Sequence, residues 1–165
     1  MVKVINQIEN IVTKIVGAVL ILILAALACC CILQVFTRYV LNDSLTWTEE
    51  LARFCFIWGG ILGIVLAFQE KTHARIMILV DRFPKKISGF LEFFANLLAV
   101  YMGYLMIRYG WEMTVSGMNV LSPQLNIPMG LIYASVPVTG LLVILFMLFA
   151  LIRKIEEEKE RRRRQ

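Results

Sequence analysis

The chain has 165 residues, of which 59% are hydrophobic, and its mean hydropathy of +0.75 is far above that of a soluble globular domain. Its formal net charge is +5, but the basic residues cluster beside apolar runs and at the C-terminus, so we expect no nucleic-acid partner. A bilayer core of about 30 Å takes roughly 20 mostly apolar residues per helix. Such runs recur four times, which predicts an all-α integral membrane protein with four transmembrane helices in a single domain.

The first span is predicted at about residues 13–39, because 23 uncharged residues, Ile15 to Thr37, separate Lys14 from Arg38. This run is longer than the apolar region of a signal peptide and no small-residue cleavage site follows it, so we expect it to remain in the membrane. Three successive cysteines, Cys29 to Cys31, have no histidine or acid near them in sequence, which indicates packing residues and not metal ligands.

The second span is predicted at about residues 46–69. Thr46 and Glu49 have the spacing of a capping box, in which Thr46 is the N-cap residue. Glu49 and Arg53 are four residues apart, as in a helical ion pair. Small residues at every fourth position predict a face on which another helix packs closely, and they are Cys55, Gly59, Gly63 and Ala67.

A charged segment at about residues 70–86 separates the second span from the third. It mixes basic and acidic residues with the apolar run Ile76 to Val80, which predicts an amphipathic segment lying along the membrane surface. The third span is predicted at about residues 87–116 and contains an Arg108–Glu112 pair four residues apart. A second stripe of small residues in this span comprises Ala95, Ala99 and Gly103.

The fourth span is predicted at about residues 128–153, followed by a cytoplasmic tail, residues 154–165. Pro128 suits the first turn of a helix, and Pro137 is expected to kink the helix because proline lacks the backbone N–H. We find no internal repeat of the kind on which carrier folds are built. The chain is therefore expected to move no solute unaided and to belong to the class of accessory subunits.

The orientation of the chain is predicted from the distribution of Lys and Arg near the ends of the spans. Fourteen of the 17 lie in the N-terminal segment, between the second and third spans, or in the C-terminal tail, and the other two loops contain none. Both termini are therefore predicted on the cytoplasmic side.

The residue pattern predicts no catalytic site and no cofactor or metal. His73 is the only histidine, so one copy of the chain cannot build a bis-histidine haem site or a His-rich metal site. Charged residues within spans are functional candidates. One group of such residues, at the start of the second span, could form an ion path: Glu49, Glu50 and Arg53. In the interpretation that we favour, they anchor the start of the helix at the membrane interface and contact a partner protein. Arg108 and Glu112 could be part of a relay for ions, or the two side chains could pair with each other and reach towards the membrane surface. We favour the second interpretation.

Several residues, in their order along the chain, resemble the small (Q-type, DctQ-like) membrane subunit of tripartite ATP-independent periplasmic (TRAP) transporters. The residues that carry the resemblance are Phe36-Thr37-Arg38-Tyr39, Trp47-Thr48-Glu49-Glu50-Leu51-Ala52-Arg53, Trp58, Gly63, His73, Asp81 and, more weakly, Leu125-Asn126-Ile127-Pro128 and Pro137. Gly130 departs from the family pattern, which has an aromatic residue close to this position.

The resemblance implies a secondary transport system of the bacterial inner membrane with three parts. A periplasmic solute-binding protein delivers a carboxylate-bearing solute, such as a C4-dicarboxylate or sialic acid, and a large (M-type) membrane subunit carries it with sodium. The small subunit would be a scaffold whose partners are these two proteins and membrane lipid. Seven matching residues become candidates for contact with a subunit or with the binding protein: Arg38, Tyr39, Trp47, Glu49, Glu50, Arg53 and His73.

Two other functions fit the sequence. One is an autonomous small transporter or channel that forms a homo-oligomer through the glycine stripe, with Glu49, Glu50 and Arg53 along a pore. Solute passage by the chain reconstituted alone would favour it. The other is a membrane anchor for a respiratory enzyme, which the single histidine disfavours unless the anchor holds no cofactor.

Overall fold

The computed structural model describes the backbone of residues 2–42, 45–80 and 85–164, and the side chains of residues 6–42, 45–67, 69 and 94–152. In these ranges the chain forms five helices and no strand, which confirms the predicted all-α class for this part of the protein. The helices are α1 (Val2–Tyr39), α2 (Thr46–Val80), α3 (Lys85–Gly117), α4 (Gly130–Tyr133) and α5 (Ser135–Arg164).

Helix α2 is longer than the second predicted span, because it continues as far as Val80. The sequence from Ile64 to Val80 contains neither glycine nor proline, so nothing in it favours a break at residue 70. The first part of the predicted surface segment is thus helical. Its position relative to a membrane stays a prediction, and residues 81–84 lie outside the described residues.

The fourth predicted span is divided into α4 and α5. The N–H of Leu131 donates to the carbonyl of Pro128, so the first turn begins at Pro128, and regular helix begins at Gly130. Helix α4 ends at Tyr133, and the ring of a proline clashes with the carbonyl of the residue four positions earlier, which for Pro137 is Tyr133. The interruption at Ala134 therefore lies where Pro137 is expected to disturb the helix, and the kink itself stays a prediction. Helix α5 then continues through the predicted tail to Arg164.

The long helices pack as two antiparallel pairs. Helix α1 lies along α2, α3 lies along α5, and the two pairs meet mainly through α2 and α5. Among the side chains that the structure describes, the apolar core is small, as expected where lipid or a partner covers the outer faces. Its buried residues are Val16, Cys30, Phe54, Leu62, Val65, Ile132, Phe146 and Met147.

Three segments within the described residues are long and apolar enough to cross a membrane. They are Asn6–Tyr39, Thr46–Ala67 and Gly130–Ile152, which makes the chain a multi-pass membrane protein by length and composition. The described part of α3 is not among them. The predicted third span, residues 87–116, and the orientation of the termini accordingly remain predictions.

Glycines bring α3 into close contact with α4 and α5. Gly103, Gly110 and Gly117 recur every seven residues on one face of α3, which we call the glycine seam. A Cβ at Gly103 would lie 2.8 Å from Ile144 Cγ1, and one at Gly117 would lie 2.6 Å from Tyr133 Cδ2. Larger residues at these glycines would therefore force α3 away from α4 and α5.

The stripes of small residues predicted from the sequence have mixed surroundings within the chain. Gly59 packs against α1, where a Cβ would lie 3.4 Å from Leu24 Cδ2, whereas a Cβ at Gly63 would meet no atom within 4 Å. In the second stripe, Gly103 belongs to the glycine seam. The remaining members are half-buried or exposed, namely Cys55, Ala67, Ala95 and Ala99. Contact of these positions with another chain stays a prediction.

Candidate partner-binding site

A buried carboxylate connects the two loops at one end of the bundle, which we call the loop end and define as residues 40–50 and 118–130. Glu50 lies in the second turn of α2 and is only 9% exposed. Its Oε2 atom accepts hydrogen bonds from the backbone N–H groups of Gln124, at 2.9 Å, and Leu125, at 2.8 Å. One side chain of α2 therefore fixes two successive peptide groups of a loop more than 70 residues away.

The loop that Glu50 holds has its own internal order. Ser122 N donates to Ile127 O at 2.9 Å and Met129 N donates to Val120 O at 2.8 Å, so the two arms of the loop pair as a short hairpin. Asn126 occupies the left-handed region, at φ 53°, which asparagine tolerates better than most residues. Every residue from 113 to 152 is uncharged, so Glu50 supplies the charge that orders this loop.

The start of α2 adds a second contact to the loop. The Thr46 hydroxyl donates to Gln124 Oε1 at 2.9 Å, while Glu49 Oε1 accepts from Arg53 Nη2 at 3.2 Å. The capping box predicted for Thr46 and Glu49 does not fit this geometry, because regular helix already begins at Thr46, so Thr46 does not occupy the N-cap position. The buried Thr48 hydroxyl donates to Leu45 O at 2.6 Å instead. The predicted Glu49–Arg53 ion pair is present.

The seven candidate contact residues divide into three groups. Glu50 is buried and acts within the chain. Five are exposed near the loop end and are free to meet another protein, and these are Arg38, Tyr39, Trp47, Glu49 and Arg53. The side chain of His73 lies outside the described residues. The loop end also exposes apolar side chains, which are Val40, Leu41, Met118, Val120 and Leu121.

Sequence reasoning missed the loop-side partners of this site. Gln124 and Leu125 contribute backbone N–H groups, which no side-chain pattern reveals. It also missed the reason for Gly130. A Cβ at this position would collide with the carbonyl oxygen of Thr114 on α3, so the aromatic residue expected nearby has no room at residue 130 itself.

A polar contact joins α1 and α2 at the other end of the pair. Glu9 is 8% exposed, and its Oε1 accepts a hydrogen bond from Gln69 Nε2 at 3.4 Å. Glu9 also makes an interaction beyond this bond. Among the side chains that the structure describes, no three His, Cys, Asp or Glu residues come close enough together to hold a metal ion. The hydrogen bonds of Glu50 at the loop end and of Glu9 at the other end therefore hold helices and loops together.

Known proteins resemble this chain over most of its length. A sequence model of the family described as "Tripartite ATP-independent periplasmic transporters, DctQ component" matches residues 27–157. A Haemophilus influenzae protein described as a putative TRAP transporter small permease protein is 31% identical over 150 residues, which are 91% of this chain and 93% of that protein. The sialic acid TRAP transporter small permease protein SiaQ of Vibrio cholerae is 29% identical over 153 residues, covering 93% of this chain and 82% of SiaQ.

A third relative is much longer than this chain. The sialic acid TRAP transporter permease protein SiaT of Haemophilus influenzae is 31% identical over 112 residues, which are 68% of this chain but only 18% of SiaT. In that protein, a segment similar to this chain is therefore part of one polypeptide with a far larger permease portion.

Proposed function

This chain belongs to the DctQ component family of tripartite ATP-independent periplasmic (TRAP) transporters, as its residues indicated, and we propose that it is the scaffold subunit of one such transporter. The small subunit of a TRAP transporter works with a large membrane subunit. In our proposal this chain supports that large subunit, which carries the solute, and has no transport activity alone. The observation that carries the proposal is the family match over residues 27–157.

The interior of the described bundle supports a scaffold and not a carrier. Its two helix pairs are closed by apolar side chains and by the glycine seam, where backbone and side chains already touch. The Glu49–Arg53 pair, which could have belonged to an ion path, lies on the surface with both side chains about two-thirds exposed. A surface pair of this kind gives an ion no route through the bundle.

We further propose that the loop end docks the periplasmic solute-binding protein. The exposed residues in and beside the loop end combine charge with aromatic surface, a mixture typical of protein interfaces, and they include Arg38, Tyr39, Trp47 and Arg53. Glu50 holds the neighbouring loop in one conformation, which lowers the entropy that a partner must remove on binding. This docking requires the loop end to face the periplasm, in agreement with the distribution of Lys and Arg.

The proposal includes four transmembrane helices, both termini in the cytoplasm, and uptake of a carboxylate-bearing solute driven by a sodium gradient. SiaQ and SiaT are described as sialic acid TRAP transporter proteins, and sialic acid bears a carboxylate. In this proposal, the large subunit and the binding protein select the solute, so we assign no residue of this chain to solute selection.

Co-purification tests the scaffold role. The chain, tagged at its C-terminus, is purified from membranes of its own host in mild detergent, and the bound proteins are identified. A large multi-span membrane protein in about one-to-one amount is the expected result. Recovery of a homo-oligomer that passes solute in liposomes would replace the proposal with an autonomous transporter.

A further inference from the structure

Helix α3 presents a polar face on the side away from the glycine seam. Successive residues of an α-helix are separated by about 100°. This separation places Tyr101, Arg108 and Glu112 opposite the glycine seam, and it places Tyr104 and Trp111 on the adjoining flank, about 100–120° from the seam. We call these five residues the polar face of α3. Tyr104 is 57% exposed and Trp111 is 63% exposed, so no other helix in the described chain covers this face.

The contacts of α3 with α5 give the depth of this polar face. Gly110 lies against Pro137, and Gly103 lies against Gly140 and Ile144. Tyr104 and Arg108 are therefore level with residues 137–144 of α5. At 1.5 Å per residue, this level is about 10–20 Å from Gly130, where the apolar segment Gly130–Ile152 begins. An apolar segment of that length crosses a bilayer core of about 30 Å, so the polar face lies within the membrane thickness.

Lipid is a poor neighbour for such a face. Arg108 and Glu112 form an ion pair, yet their side chains remain 56% and 53% exposed. Tyr104 lies one helical turn before Arg108 and is 57% exposed. Polar groups at membrane depth that face outwards are costly unless protein covers them. The outward face of α1 is the opposite case, since aliphatic side chains such as Leu22 and Ile32, each 70% exposed, lie on it within the apolar segment. Lipid suits the face of α1.

We infer that the polar face of α3 is the surface on which the large membrane subunit packs, through a transmembrane helix that presents hydrogen-bonding groups to Tyr104 and to the Arg108–Glu112 pair. This inference rests on the proposed function. The large subunit is the chosen occupant because SiaT contains a segment similar to this chain within a much longer permease, so a large membrane partner is present in the same polypeptide. The ion pair is neutral as a whole, and the partner therefore needs hydrogen-bonding and aromatic side chains more than a net charge.

Site-specific photo-crosslinking tests this surface. A benzophenone amino acid replaces Tyr104 in one variant and Leu22 in the control variant, and each variant is expressed with the large subunit and irradiated in native membranes. The expected result is a crosslink to the large subunit at least ten times stronger from position 104 than from position 22. Equal crosslinking, stronger crosslinking from position 22, or products at position 104 that contain only lipid or a second copy of this chain would overturn the inference.

A second variant tests the energetic argument. The double substitution R108L/E112L makes the face apolar. A lipid-facing surface would tolerate this change, and the yield of the large subunit in co-purification would stay the same or rise. If the face is an interface with the large subunit, the substitution removes its hydrogen bonds. We therefore expect the yield of the large subunit to fall at least five-fold while the amount of this chain in the membrane is unchanged. Co-purification of the unsubstituted chain is the separate test of the scaffold role, so a failure of the surface alone is recognisable.

Discussion

Replacement of Glu50 by alanine is expected to release the loop that it holds. The carboxylate accepts two backbone hydrogen bonds, at 2.9 and 2.8 Å, and hydrogen bonds to charged groups contribute about 1.5–3 kcal/mol each. Water can reach part of this loop, because Gln124 is exposed, and it will replace some of the lost interaction. We therefore expect Glu50→Ala to lower the free energy of loop opening by about 2–4 kcal/mol, less than the full sum of the two bonds.

Hydrogen exchange measures this quantity directly. Since about 1.4 kcal/mol corresponds to a factor of ten, exchange at the amides of Gln124 and Leu125 should become about 30 to 1,000 times faster in Glu50→Ala. Mass spectrometry of the purified chain in detergent resolves this change in a peptide covering residues 120–128. Glu50→Gln keeps an acceptor oxygen without the charge, so an intermediate rate is expected.

The neighbouring glutamate provides the matched control. Glu49 has the same side chain at the preceding position of α2, but it is exposed and, among the described residues, pairs with Arg53. Exposed helical pairs contribute about 0.3–0.5 kcal/mol, so Glu49→Ala should leave exchange in the loop within about two-fold of the unsubstituted chain. If both alanine variants exchanged at the same rate in residues 120–128, the assignment of the loop's order to the Glu50 carboxylate would be refuted.

Three further predictions concern glycine, backbone conformation and topology. Gly130→Ala should destabilise the chain in thermal unfolding by about 1–3 kcal/mol, because the added Cβ meets the Thr114 carbonyl. The control Gly63→Ala, with open space around it, should be neutral or stabilising. Equal effects of the two substitutions would contradict the close α3–α4 contact. Asn126→Gly should leave thermal stability nearly unchanged, whereas Asn126→Ala should lower it by about 1 kcal/mol, because alanine is strained at φ 53° and glycine is not. A loss of stability in both variants would show that the asparagine side chain, and not the backbone conformation, is responsible. A green fluorescent protein fused at the C-terminus should fluoresce and an alkaline phosphatase fused there should be inactive, as expected for a cytoplasmic terminus, and the reverse pattern would invert the proposed orientation.

The sequence by itself determined the features of this protein that depend on neighbouring residues. Apolar runs of more than 20 residues dictate long helices, because a helix satisfies its backbone hydrogen bonds within one segment. Residues four apart meet on any helix, so the pairs Glu49–Arg53 and Arg108–Glu112 were predictable from spacing. An interruption of the helix near Pro137 was expected for an equally local reason, and α4 and α5 are separated at Ala134. The order of residues such as Trp47 to Arg53 was enough to indicate the family.

Only the tertiary structure decided which of two adjacent glutamates is buried. Glu49 and Glu50 look alike in the sequence, and their roles separate because the loop at Gln124 folds onto one side of α2 and not the other. The polar face of α3 likewise became recognisable once the glycine seam fixed which side of that helix turns inward and at what depth. Both results depend on contacts between residues far apart in the chain, and the geometry of such contacts is set by how whole helices pack, which no local spacing records.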